Sequence, residues 1–93
     1  MLALRLSKQA AAFLQKLPLK HSRQIAERIA LLRNDQTAVI SIELKGYPQF
    51  RRFKSGEYRV VFEIDDANSV LNVALIGKRN DDEIYELVKR MLR

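Results

Sequence analysis

Arg52, Lys54 and Arg59 are the residues whose types and spacing could do chemistry. They stand in Phe50-Arg51-Arg52-Phe53-Lys54-Ser55-Gly56-Glu57-Tyr58-Arg59-Val60-Val61-Phe62, two alternating segments around Ser55-Gly56. That dipeptide suits a two-residue hairpin turn. The turn predicts Lys54 opposite Glu57, Phe53 opposite Tyr58 and Arg52 opposite Arg59. Side chains alternate faces along a strand, so the three cations are expected on one face. Two guanidiniums placed opposite each other repel, and a polyanion lying on the face would relieve that repulsion. The chemistry open to such a surface is phosphate binding and stabilisation of charge at phosphorus.

Other routes to catalysis find little support. The single histidine, His21, falls on the polar side of a predicted helix and far along the chain from the basic hairpin, as a solvated surface residue would. There is no cysteine, which excludes disulfides and thiolate metal ligands and fits a reducing compartment. Asp65, Asp66, Asp81 and Asp82 read as turn and capping residues. Gly46, Gly56 and Gly77 are isolated, so no phosphate-cradling glycine loop is present. No metal or cofactor is expected. Arg79 directly precedes a predicted helix N-terminus, where exposed N–H groups attract anions. Tyr85 follows the apolar Ile84 and reads either as a partly buried core tyrosine or as a ring on which an RNA base stacks.

The elements that must position these residues follow from hydrophobic periodicity. Leu2 to Leu6 alternates as a short strand, and Ser7 is a suitable N-cap for a helix carrying Ala10, Phe13, Leu14 and Leu17. Pro18 ends that helix or begins the next. The second helix carries Ile25, Ile29 and Leu32, with Lys20, Arg23, Arg28 and Arg33 facing solvent, and so short a join predicts a helical hairpin. Ile40 to Leu44 is a strand entering a turn at Lys45-Gly46-Tyr47-Pro48. The basic hairpin spans Phe50–Lys54 and Glu57–Ile64, and a second turn follows at Asp65-Asp66-Ala67-Asn68. Val70 to Ile76 is the most apolar strand and is expected at the centre of the sheet, with Gly77-Lys78-Arg79-Asn80 breaking it. Asp81-Asp82-Glu83 then open a helix carrying Ile84, Leu87, Val88 and Met91. The expected fold is α+β in the order β-α-α-β-β-β-α, a mainly antiparallel sheet packed with an N-terminal helical hairpin and a C-terminal helix.

The 93 residues make a single domain, 1–93, with 47% hydrophobic and 30% charged residues, enough to fold around a modest core. No stretch is long enough to span a membrane and no leader pattern precedes the fold, so a soluble cytoplasmic protein is expected. The net charge of +6 favours an anionic partner. Its distribution sharpens this point: Lys45 to Arg59 holds five basic residues and one acid, whereas acids gather at 63–66 and 81–83.

Leu44-Lys45-Gly46, Arg52-Phe53-Lys54, Gly56-Glu57-Tyr58-Arg59-Val60-Val61-Phe62 and Ile76-Gly77-Lys78-Arg79, with Tyr85 beyond, closely resemble the RelE toxins of the RelE/ParE toxin–antitoxin superfamily. The resemblance covers nearly the whole chain. It implies a metal-independent, ribosome-dependent endoribonuclease that cuts mRNA in the ribosomal A site. A ribose 2′-hydroxyl would attack the adjacent phosphate and leave a 2′,3′-cyclic phosphate and a 5′-hydroxyl end. By resemblance Lys54 is the base, Arg59 stabilises the phosphoryl oxygens, Arg79 contacts the scissile phosphate and Tyr85 stacks on or orients the nucleotide. Arg52 stands where RelE has a lysine; a guanidinium keeps its proton, so phosphate binding is its expected task. The turn before Tyr58 is also about two residues shorter than in RelE. Lys45, Arg51 and Lys78 are expected to bind RNA around this set. The implied partners are the ribosome with mRNA in its A site and an acidic RelB-like antitoxin. Two other readings stand beside it: a ParE-like gyrase poison with the same fold, against which Lys54, Arg79 and Tyr85 occurring together argue, and a non-catalytic RNA-binding module, for which a basic sheet face suffices.

Overall fold

Alternating apolar residues on both sides of Gly56 fold into a long antiparallel hairpin, and every other element packs around it. The computed structural model describes residues 1–92. In chain order the elements are β1 (Ala3–Leu6), α1 (Lys8–Lys16), α2 (Leu19–Asn34), β2 (Ser41–Leu44), β3 (Tyr47–Ser55), β4 (Tyr58–Asp65), β5 (Val70–Lys78) and α3 (Asp81–Met91). The α+β order expected from the sequence is observed. The five strands form one sheet, β1-β5-β4-β3-β2, antiparallel except where β1 runs parallel to β5.

β4, rather than β5, is the middle strand. Tyr58 to Phe62 are all buried, because helices cover both faces of the sheet and a central strand then reads as a continuous run rather than an alternation. Phe53, Tyr58, Val60, Phe62, Leu71, Val73 and Ile76 meet Ala10 of α1 and Ile25, Ile29 and Leu32 of α2 on one face. On the other face Leu44, Phe50, Val61 and Leu75 meet Ile84 and Val88 of α3. Val61 and Phe62 serve opposite cores, and a register shift between them lets β5 fit both. Phe53 and Phe62 pack at 6.0 Å between ring centroids, and burying each ring contributes about 1.5–3 kcal/mol.

Local signals account for most element boundaries. Ser7 caps α1, accepting from the Ala10 N–H at 3.0 Å; Pro18 is the N-cap of α2, and Asn80 caps α3 through the Glu83 N–H. Asp65 and Asn68 lock the β4–β5 turn, and the Asn68 side chain and N–H hold the Asp65 carboxyl below its ordinary range. Arg33, expected in solvent, instead donates Nε to the Leu2 carbonyl at 2.8 Å. β5 continues through Gly77 to Lys78 where a break was expected. A Cβ at Gly77 would lie 2.8 Å from Ile84 Cδ1, so this glycine admits α3 against the sheet rather than ending the strand.

Beyond β1, side chains take over the pairing of β5. The Ser7 N–H donates to the Val73 carbonyl and Ser7 Oγ to the Ala74 carbonyl. The Gln9 amide then donates to the Ile76 carbonyl at 2.7 Å and accepts from its N–H at 2.9 Å. Gln9→Ala would leave both backbone groups unpaired and should lower unfolding free energy by about 1–3 kcal/mol. A urea midpoint equal to that of wild type would show that water replaces the amide.

Candidate nucleic-acid interface

The hairpin that carries the cations turns at Gly56-Glu57, not at Ser55-Gly56. Ser55 pairs with Tyr58, Lys54 with Arg59, Phe53 with Val60 and Arg52 with Val61. Gly56 takes a φ of +58°, the left-handed value that a tight hairpin turn with glycine at its first central position requires. The expected pairings of Lys54 with Glu57, Phe53 with Tyr58 and Arg52 with Arg59 are therefore displaced by two residues along β4. The like-charge pair survives in another form, Lys54 opposite Arg59, and the three cations still share one face.

Their environments differ. Lys54 is exposed and Arg52 half-buried. Arg59 is only 9% exposed, and its Nη1 donates to the carbonyls of Gly56 at 3.1 Å and Tyr58 at 3.0 Å. These bonds hold the guanidinium against the turn, where two carbonyl oxygens offset part of its charge. Arg59 Nε is buried without a hydrogen-bond partner, an arrangement that costs free energy unless a ligand or rearrangement supplies an acceptor.

α3 covers the part of this face formed by Phe50, Val61 and Leu75, leaving the hairpin end with Arg52 and Lys54 beside it. Arg79 is exposed and follows Lys78, whose neighbour Gly77 pairs with Arg59. Arg79 thus enters α3 at the same end of the sheet. Tyr85 is tied to the β2–β3 turn. Its hydroxyl accepts from the Lys45 N–H at 2.9 Å, and its ring lies 6.3 Å from that of Tyr47. Tyr47 opens β3, beside the register shift between Glu43 and Leu44, and Lys54 lies near the other end of that strand. Lys45, in the β2–β3 turn, belongs with Tyr85. Arg51 lies on the opposite face, where Nε and Nη2 donate to Oγ and the carbonyl of Ser41 at 2.8 and 2.7 Å. Lys78, paired with Tyr58, also belongs to that opposite face.

His21 is not a solvated residue remote from the hairpin. It is half-buried, with its ring 5.4 Å from that of Tyr58, which Phe13 meets edge-on at 6.0 Å. Sequence distance hid this contact, since α2 returns over the sheet to place residue 21 beneath the β3–β4 turn. Among the described residues no three His, Asp or Glu side chains gather as a metal site would need, and no helix is long and apolar enough to cross a membrane.

Comparisons with known proteins agree with this fold. Residues 4–83 match the family model of the ParE toxin of type II toxin–antitoxin systems, parDE. The isolated RelE toxin of E. coli superposes with a TM-score of 0.73 at 25% identity, covering 98% of this chain and 99% of that one. The RelE of the Pyrococcus horikoshii RelE–RelB complex gives 0.69 at 24% identity, covering 85% and 96%. The Mycobacterium tuberculosis RelBE2 toxin–antitoxin complex gives 0.72 at 21% identity, covering 84% and 98%. None of the curated proteins matches the chain. The chain belongs to the ParE toxin family of type II toxin–antitoxin systems, within the RelE/ParE superfamily.

Proposed function

We propose that this toxin is a ribosome-dependent mRNA endoribonuclease of the RelE type. The observation that carries the reading is the exposed Lys54 between Arg52 and Arg59 on one sheet face, with Arg79 at the same end. Lys54 is the one group of this set able to lose a proton and take another, since arginine stays charged. As base it removes the proton of a ribose 2′-hydroxyl; the 2′-oxygen bonds to the adjacent phosphorus, and the bond to the 5′-oxygen breaks. The departing oxygen takes up a proton from water, leaving a 2′,3′-cyclic phosphate and a 5′-hydroxyl. Arg52 and Arg79 hold the phosphate, and Arg59 adds positive charge behind it. Tyr85 braces α3 against the β2–β3 turn through its hydroxyl, and its half-buried ring is the surface on which a nucleotide would stack. A site with one usable base is a weak nuclease unless its substrate is held in line for attack, and the ribosome supplies that alignment.

The neighbouring RelE structures include complexes with RelB, and an acidic antitoxin of that kind is the proposed partner, complementary to the net charge of +6. The protein would act in the cytoplasm, where ribosomes are. The family match to ParE favours a second reading, a gyrase poison on the same fold. Purified 70S ribosomes with an open A site and a bound message decide between them. Cuts confined to the A-site codon are expected; an intact message together with inhibited gyrase supercoiling would replace the first reading by the second.

A further inference from the structure

Beside the candidate site the sheet has a notch that the hairpin cations share. β2 begins at Ser41, opposite Phe53, so β3 runs on past it and leaves a corner at the sheet edge. The notch is ≈ 530 Å³, within the ~300–1,000 Å³ of clefts that take small ligands. Ile40 and Ile42 line it and are 90% and 50% exposed. Arg52 and Lys54 form one side, and Arg28 of α2 reaches it from another element. Its lining contains three cations and no acid.

Each feature has a bland reading taken alone: Arg28 as one of several exposed arginines, Ile40 as a stray surface residue. Their conjunction is harder to dismiss. An isoleucine exposed to the degree of Ile40, directly before the edge strand β2, is a liability for aggregation, and here it sits among cations whose mutual repulsion opposes pairing with a second copy of the chain. The notch opens onto Arg52 and Lys54, so an RNA strand held by those two side chains has its next nucleotide placed at or beside it.

We propose that the notch seats one nucleotide flanking the bond to be cut, with its base or ribose against Ile40 and Ile42 and its outer phosphate on Arg28. The inference rests on the ribonuclease reading above. It makes Arg28, on a helix outside the basic hairpin, a substrate-binding residue, and it fixes the side of the hairpin along which the RNA runs. Apolar contact with a base is tolerant of sequence, whereas the Arg28 contact is electrostatic and salt-dependent.

The test is fluorescence anisotropy of a short 2′-O-methyl oligoribonucleotide, which cannot be cleaved, over a salt series. The proteins compared are wild type, Arg28→Ala, Arg28→Lys and Ile42→Ser, with A-site cleavage measured in parallel. Both sites are exposed, so thermal unfolding should match wild type. Arg28→Ala should weaken binding about fivefold and reduce the salt slope by about 1, and Arg28→Lys should restore both. Ile42→Ser should weaken binding about threefold with the salt slope unchanged. Wild-type affinity in Arg28→Ala and Ile42→Ser, while wild type cuts message, overturns the notch and leaves the nuclease reading intact. Loss of affinity for an acidic amphipathic peptide with RNA binding unaltered would make the notch a peptide site and also overturn it. Weakened RNA binding in the variants of a wild type that cuts nothing would sink the nuclease and with it the notch as a subsite of cleavage, leaving only an RNA contact there.

Discussion

Lys54→Ala should eliminate A-site cleavage, lowering its rate by about 10²–10⁴-fold, the contribution of a positioned general base. The fold should survive, because Lys54 is exposed and its neighbours Phe53 and Ser55 carry the packing at that point of β3. Removing one of two opposed cations also relieves the repulsion with Arg59, so unfolding should occur at or slightly above the wild-type temperature. Ribosome affinity should fall only by the loss of one cationic contact. Lys54→Arg is the sharper variant: it keeps the charge and removes the proton acceptor, so it should bind as wild type and cut as poorly as the alanine variant. Equal cleavage by Lys54→Arg and wild type would show that charge alone is needed and that the base lies elsewhere.

The hairpin shows what a sequence can and cannot specify. A strand shifted by two residues keeps every side chain on its original face. Turning at Ser55-Gly56 or at Gly56-Glu57 therefore yields the same apolar face of Phe53, Tyr58 and Val60 and the same cationic face of Arg52, Lys54 and Arg59. Periodicity specified the face but was blind to the register, which was left to whether Gly56 is the first or the second turn residue. The faces were legible, and the partner of Arg59 was not. Gly77 was misread for a related reason. A glycine after an apolar strand ends it as often as it thins it, and only the approach of Ile84 reveals which applies here. The cap of α1 was legible at Ser7 because accepting from the N–H of Ala10, three residues on, is a local task, whereas the bond from the same Oγ to the Ala74 carbonyl was not legible. The contacts of His21 and Tyr85 depend on how α2 and α3 cross the sheet, and no local pattern encodes those crossings.

Arg59 makes the second large prediction, and its burial is what gives the test power. As a strut of the turn, it matters through two hydrogen bonds from Nη1 to backbone carbonyls. As a phosphate ligand, it matters through its charge and through the Nε that lacks an acceptor, which a phosphoryl oxygen would provide once the guanidinium swings from the turn. Arg59→Met separates these roles. It fills the same space and removes both the strut and the charge. The lost bonds are offset by the relief of desolvating a guanidinium, so the net change in stability should stay within about 1 kcal/mol. Cleavage, by contrast, should fall about 10²–10³-fold, as it does when a preorganised donor to developing charge is removed. Arg59→Lys keeps charge without the planar fork and should recover part of the rate. The opposite pattern, a loss of several kcal/mol with undiminished cleavage per folded molecule, would make Arg59 a structural clamp and leave phosphate binding to Arg52 and Arg79. Urea denaturation and single-turnover cleavage on the same preparations distinguish the two, because one measures the turn and the other the chemistry.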